Sequence, residues 1–200
     1  MRWARALQAI AQNGLTYTDG PYDRERYLAV QQIAAELAAG VTGEDAEELL
    51  ARFGDETGYR TPKVDVRGAV LDDGRLLLVR EPESDGWCLP GGWADVGETP
   101  SRAVEKEVSE EAGLDVRAVR LLGVFDRDFR GRVRWPAHVY KLYVLCESSG
   151  GEPVADGLET VAAEFFALDA LPPLSLKTPP DQLGRALAVA LDAALPAALD

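Results

Sequence analysis

The stretch that most restricts this chain runs from Gly91 to Leu114, GGWADVGETPSRAVEKEVSEEAGL. Thr99-Pro100 reads as a helix start, with threonine as N-cap and proline at the first helical position, where its missing N–H costs nothing. Gly113 suits the left-handed residue that ends a helix. Between these stops each residue advances about 100° around the axis. Val104, Val108 and Ala112 then form one apolar stripe that would pack on a sheet, and Glu107, Glu110 and Glu111 fall on the stripe beside it. Three carboxylates so close repel one another, and burial beside apolar side chains raises the cost of ionising them. A hard divalent cation with oxygen ligands, Mg²⁺ or Mn²⁺, removes both problems. The alternative, a solvated acidic helix face, leaves the two leading glycines and the capped length unexplained.

The rest of the chain changes period once. Residues 1 to about 55 are rich in Ala, Leu, Gln and Glu without β-branched alternation, which predicts helices. Trp3, Leu7 and Ile10 recur at helical spacing. A second helix is expected behind Asp23 with Gly40 as its stop, and a third behind a capping box formed by Thr42 and Asp45. Three short helices make a module that depends on packing against the rest of the chain or a second copy. From Lys63 the pattern becomes strand-like. VDVRGAVL and RLLLVRE flank Asp72-Asp73-Gly74, a hairpin signal. VRAVRLLGVFDRDF, HVYKLYVLCE and AAEFFAL read as further strands, and a last helix is expected from about Asp181 to Leu195. Strands with one internal and one terminal helix imply a mixed β-sheet between helical layers.

Composition excludes several classes. The 200 residues are 46% hydrophobic and 28% charged, with a net charge of −13 and an isoelectric point near 4.6. Sequence-independent binding to nucleic acid needs clustered Lys and Arg, so no stable nucleic-acid partner is expected. An acidic protein still binds an anionic ligand when a divalent cation sits between them. No apolar run approaches the roughly 20 residues that span a bilayer, and the N-terminus lacks a signal-peptide core. Two cysteines in unrelated contexts, Cys88 and Cys146, suit a reducing cytoplasm and read as buried small residues. The single histidine, His138, reads as structural. No GxSxG elbow, P-loop or CxxC pair is present.

Gly92, five residues, Glu98, seven residues, then Lys106-Glu107-Val108-Ser109-Glu110-Glu111-Ala112-Gly113-Leu114 resembles the Nudix box, G-x5-E-x7-R-E-U-x-E-E-x-G-U with U apolar. One fixed position departs, with Lys106 standing where the family has arginine. The resemblance implies an α/β fold, a Nudix-type α/β/α sandwich, and hydrolysis of a nucleoside diphosphate linked to another group. It implies that Glu107, Glu110 and Glu111, with a backbone carbonyl near Gly92, hold the metals, and that Glu98 supports the motif. The family's arginine orients the box's own acids through a bidentate pair; Lys106 keeps the charge without the fork.

Water attacking a pyrophosphate needs its proton taken by a carboxylate, a task open to Glu110 or Glu111. Nudix enzymes often add a carboxylate from a loop before a late strand. Glu159 occupies that place, with Glu164 as runner-up, and the alternative for Glu159 is a surface acid. Trp93 could stack on a base or line the pocket, or else be a core tryptophan; Trp87 reads as structural. Arg67, Arg127, Arg130, Arg132 and Arg134 could clamp a phosphate or be solvated charges.

The N-terminal segments WARALQAIAQNGLTYTDGPYDRERY and PKVDVRG, with LPGGWADVGE, HVYKLYVLCE and ALDALPPLS, resemble the branch with a helical extension. That branch is one of ADP-ribose or CDP-choline pyrophosphatases. It implies a homodimer, a helical module over residues 1–58 for dimerisation and substrate contacts, and a hydrolase domain over 59–200. ADP-ribose is the first expectation, CDP-choline the second. A Nudix-fold sensor without turnover is the reading from another class; the intact acids and the absence of a basic patch favour the enzyme.

Overall fold

Asp73 and Gly74 both adopt positive φ, 47° and 72°, the requirement of a two-residue hairpin turn with the twist of its flanking strands. The turn closes β1 (Lys63–Asp72) on β2 (Arg75–Arg80), antiparallel, with Leu71 opposite Leu76. Four more strands complete a six-stranded sheet in the order β5-β2-β1-β4-β3-β6: β3 (Val116–Asp126), β4 (Val139–Ser148), β5 (Ala162–Ala167) and β6 (Ala198–Leu199). The sheet is mixed, because β6 runs parallel to β3 whereas β3–β4 and β2–β5 are antiparallel. This computed structural model describes residues 1–82, 84, 86–128 and 136–200.

The chain divides into two compact units, Met1–Lys63 with Asp128–His138, and Val64–Arg127 with Val139–Asp200. In the second, alternation along the strands sends successive side chains to opposite faces. Val66, Val70, Leu77 and Val79 meet Ala103, Val104, Val108 and Ala112 of α4 (Pro100–Ala112). Ala69, Leu76, Leu78 and Tyr143 meet Leu183, Ala186 and Val189 of α5 (Pro180–Leu191). A helix therefore covers each face, the expected α/β/α sandwich. The C-terminal helix is shorter than expected. It stops at Leu191, Asp192 turns extended, and beyond Pro196 the chain returns to the sheet as β6, which sequence reading missed.

In the first unit, α1 (Arg2–Tyr17), α2 (Pro21–Thr42) and α3 (Ala46–Asp55) enclose Ala4, Ala34, Ala35, Ala38, Leu49 and Phe53. Two expected boundaries need correction. Gly40 does not stop α2; the helix runs on to Thr42 and ends at Gly43, whose φ of 80° is the left-handed terminator. Thr42 does not cap α3 either, since Asp45 alone accepts from the N–H of Glu47 and Glu48. Gly14 is needed where α1 meets α2: a Cβ there would lie 2.3 Å from the Tyr27 ring. The Ala-rich interior and this glycine let the helices approach closely. Trp3 and Ile10, in phase with Leu7, lie outside that interior at 69% and 56% exposure.

Candidate active site

The site is built on α4. Thr99 Oγ1 accepts from Arg102 N–H, Pro100 opens the helix, and Gly113 closes it with φ 65° and an N–H to Ser109 O. The stripe of Val104, Val108 and Ala112 is buried against the sheet, and Gly68 on β1 lets it come close, since a Cβ there would lie 2.6 Å from Val108 Cγ2. The helix is thus seated by its apolar side, and its acidic side faces the Gly91–Gly92 segment.

The glycine pair forms the facing edge. Residues 90–94 run along β1, with Gly68 N–H donating to Pro90 O, Val66 N–H to Gly92 O and Ala94 N–H to Val64 O. Gly91 has φ 144°, and a Cβ there would overlap the Val66 carbonyl at 2.0 Å, so the position requires glycine. Its N–H, so oriented, donates to Glu111 Oε2 at 2.9 Å. Glu107 comes against Gly92 closely enough that a Cβ there would sit 2.8 Å from Oε2. Both glycines are therefore fixed by the two carboxylates they face and the strand behind them.

Burial dominates the electrostatics. Glu111, 5% exposed, and half-buried Glu107 are both pushed up to about 7, first by desolvation. The Glu110 and Glu159 charges raise Glu107 further, and Arg67 opposes the shift in both acids. Glu110 is exposed. Glu159 arrives from a loop organised by Asp156, whose Oδ1 accepts the N–H of Leu158, Glu159 and Thr160. Thr160 Oγ1 then donates to Glu111 O at 2.7 Å, which staples that loop to the end of α4. Glu107, Glu110, Glu111 and Glu159 line one cleft of about 940 Å³. Glu164 points away from it, exposed on β5 opposite Leu78.

Among the described residues no three acids converge on a single point at coordinating distance. The donor set nevertheless suits a hard divalent ion: oxygen ligands, two of them held against ionisation by burial and by neighbouring acids. Glu107, Glu110, Glu111 and backbone oxygen at Gly92 are the groups that could hold it. The Gly92 carbonyl already accepts Val66 N–H and so has one lone pair to offer.

Several sequence candidates sit differently from expectation. Lys106 reaches only one acid of the motif, Glu98 at 3.8 Å, and its main partner is Asp95 at 2.9 Å. It ties the 95–98 loop to α4, and that contact raises the Lys106 ammonium. Arg67 is not a free clamp. It is buried, with Nε and Nη2 both 2.7 Å from the Asp65 carboxylate and Nη1 donating to Leu89 O. Arg127 lines the cleft, whereas Arg130, Arg132 and Arg134 lie outside the described residues. Trp93, 45% exposed, stands on the cleft wall, while Trp87 packs edge-on against Phe166. Sequence reading missed Asp65, Glu81, Lys141 and Lys177, which also line the cleft. Lys141 left a readable signal, because it falls in phase with Val139 and Tyr143 on the buried side of β4.

Comparison with known proteins agrees with this geometry. A family model described as NUDIX domain matches residues 56–187, and one described as UDP-X-like, N-terminal oligomerisation domain matches residues 1–53. The Bacillus subtilis (strain 168) protein named "Putative ADP-ribose pyrophosphatase YjhB" is 42% identical over 181 residues, 90% of this chain and 86% of that protein. An ADP-ribose pyrophosphatase of Methanocaldococcus jannaschii is 38% identical over 58% of this chain and 69% of its own. Among solved structures, a UDP-X diphosphatase covers 100% of this chain and 97% of its own at 31% identity and a TM-score of 0.65. An ADP-ribose pyrophosphatase from Streptococcus suis covers 70% of this chain and 100% of its own, with 40% identity and a TM-score of 0.62.

Proposed function

Because the chain belongs to the NUDIX family and is a Nudix pyrophosphohydrolase acting on phosphorus-containing acid anhydrides, we propose that it hydrolyses ADP-ribose to AMP and ribose 5-phosphate with Mg²⁺, or Mn²⁺ in its place. The observation that carries the reading is the meeting of Glu107, Glu110, Glu111 and Glu159 with several cations and an exposed tryptophan in one cleft. Likeness to relatives named as ADP-ribose pyrophosphatases supports the choice of substrate.

Glu107, Glu110 and Glu111, with the Gly92 carbonyl, would hold the divalent ion. When bound, such an ion neutralises phosphate charge and makes a nearby water more acidic. The water's proton goes to a carboxylate among Glu110, Glu111 and Glu159. The Gly91 N–H fixes one oxygen of Glu111 and so aims the other. The water oxygen bonds to phosphorus, the anhydride P–O bond breaks, and the second phosphate leaves with the bridging oxygen. Glu98 and Lys106 support the loop behind the glycine pair. Trp93 stacks on the base, Arg127 and Arg130 bind phosphate, and Arg67 acts through the field it casts on Glu107 and Glu111.

Residues 1–58 serve as a dimerisation module and 59–200 as the hydrolase domain of a homodimer. Support comes from the oligomerisation-domain match and from exposed Trp3, Ile10, Tyr17 and Tyr22 on the first two helices. No helix among the described residues is long and apolar enough to cross a membrane, and two buried free cysteines suit a reducing cytoplasm.

A second reading has its own support. The UDP-X diphosphatase resembles this chain over its whole length, which favours a pyrimidine nucleoside diphosphate substrate, CDP-choline included. One assay decides: purified protein with Mg²⁺ against ADP-ribose, CDP-choline and a UDP-sugar, with Glu111→Gln alongside. Preferred turnover of ADP-ribose, lost in Glu111→Gln, is expected. Preference for either pyrimidine substrate transfers the activity to the second reading. Binding without turnover of any of them leaves a sensor.

A further inference from the structure

The cations of the cleft are not equivalent. Arg67 spends its fork on Asp65, and Lys177 pairs with Glu81. Lys141, on β4, has no carboxylate partner among the described residues, and its Nζ donates only to the Lys177 carbonyl. Yet it is 1% exposed and lines the cleft. An ammonium has three donors and no acceptor, so two N–H groups remain in a place where water is scarce. A buried charge without a counterion costs stability, and the residues in phase with it on the strand, Val139 and Tyr143, are buried hydrophobics.

We propose that Lys141 is a phosphate-binding residue, its Nζ donating to a phosphoryl oxygen of the bound anhydride. The proposal rests on the reading of the cleft as a phosphoanhydride site. Its neighbours make the cation receptive. Burial first, then the Arg67 and Arg127 charges, push the Lys141 ammonium down to about 7, while Asp65 and Cys88 oppose the shift. An incoming anion supplies the charge that Asp65, held by Arg67, supplies only in part. The fold thus keeps a destabilising cation where a ligand relieves it, the usual exchange of stability for function.

The test measures two quantities on wild type, Lys141→Met and Lys141→Leu. The first is binding of inorganic pyrophosphate, AMP and ribose 5-phosphate by isothermal titration calorimetry with Mg²⁺ present. The second is the Tm of the ligand-free protein. Loss of a charged hydrogen bond weakens binding of at least one probe by about tenfold or more, and the weakened product names the half of the substrate whose phosphate Lys141 holds. Tm should hold or rise, because an unpaired buried charge is gone. Unchanged affinity for all three probes overturns the proposal, as does a wild type that binds none of them. A lower Tm in both variants, or failure of both to fold, overturns it too, by assigning Lys141 to holding the Lys177 carbonyl. ADP-ribose turnover by the wild type is scored separately. A protein that binds pyrophosphate through Lys141 but turns nothing over removes the hydrolase reading and leaves this one.

Discussion

Glu111→Gln should stabilise the metal-free protein while removing its activity. Glu111 has an ordinary value of 4.5 and is held at about 7 in the fold. The folded chain therefore binds this proton more tightly than the unfolded chain, and stability falls as pH rises from about 4.5 through about 7. At pH 8 the whole cost is present, about 1.4 kcal/mol for each of roughly 2.5 pH units, or about 3.5 kcal/mol. Glutamine removes that cost and keeps an oxygen for the Gly91 N–H, but it buries an amide whose two N–H donors leave water. That burial brings the expected gain to about 1–2 kcal/mol. In a chain of this size that raises Tm by about 3–6 °C. The assay is differential scanning calorimetry in EDTA at pH 8 and pH 5. At pH 5 both folded proteins carry a neutral side chain here and only a small part of the cost remains, so the difference should shrink. With Mg²⁺ at pH 8 the order should close or reverse, because an ion that binds only the folded wild type raises its stability by mass action. A Tm that falls in Glu111→Gln at pH 8, or rises equally at both pH values, would falsify the argument that burial and neighbouring acids strain this carboxylate.

Three other changes probe separate parts of the structure. Asp65→Ala strands the buried Arg67 guanidinium and should cost about 3–5 kcal/mol in urea unfolding; a loss under about 1 kcal/mol would mean that solvent reaches the pair. Gly91→Ala forces a side chain into φ 144° against the Val66 carbonyl, so its soluble yield and Tm should collapse; normal expression and Tm would show that the 90–94 segment yields. Trp93→Ala, on an exposed cleft wall, should raise KM several-fold with kcat nearly kept and stability changed by less than about 1 kcal/mol. An unchanged KM across the nucleotide panel would remove Trp93 from the base site.

The parts legible in the sequence were those whose cause is local. Asp73-Gly74 carries its own turn geometry, and Thr99-Pro100 with Gly113 fixes both ends of α4 before anything packs on it. The stripe of Val104, Val108 and Ala112 told which side of that helix the sheet would take. Gly40 misled because a glycine inside a helix costs only about 1 kcal/mol, less than the packing of α2 returns. The real stop needs a left-handed residue, which Gly43 is. β6 was invisible for another reason, since two residues, Ala198 and Leu199, join the sheet only through pairing with distant β3. Arg67 was legible in principle. Residues two apart on a strand share a face, so Asp65 and Arg67 were placed to pair, and an arginine so paired is a poor clamp.

The cleft makes sense as a place where two kinds of charge are each held against their preference. Burial works against ionised Glu107 and Glu111 on the one hand and against protonated Lys141 on the other. Arg67 eases the acids and burdens the lysine. Asp65 offsets the Lys141 charge only in part, because it is already paired with the Arg67 fork. Moving Arg67 toward the acids would strand Asp65. What satisfies both is a dication for the carboxylates together with an anion for the lysine, which is the charge pattern of a metal-bound pyrophosphate. The apolar seat of α4 and the staple from Thr160 to the Glu111 carbonyl keep the acids from escaping to solvent in the meantime.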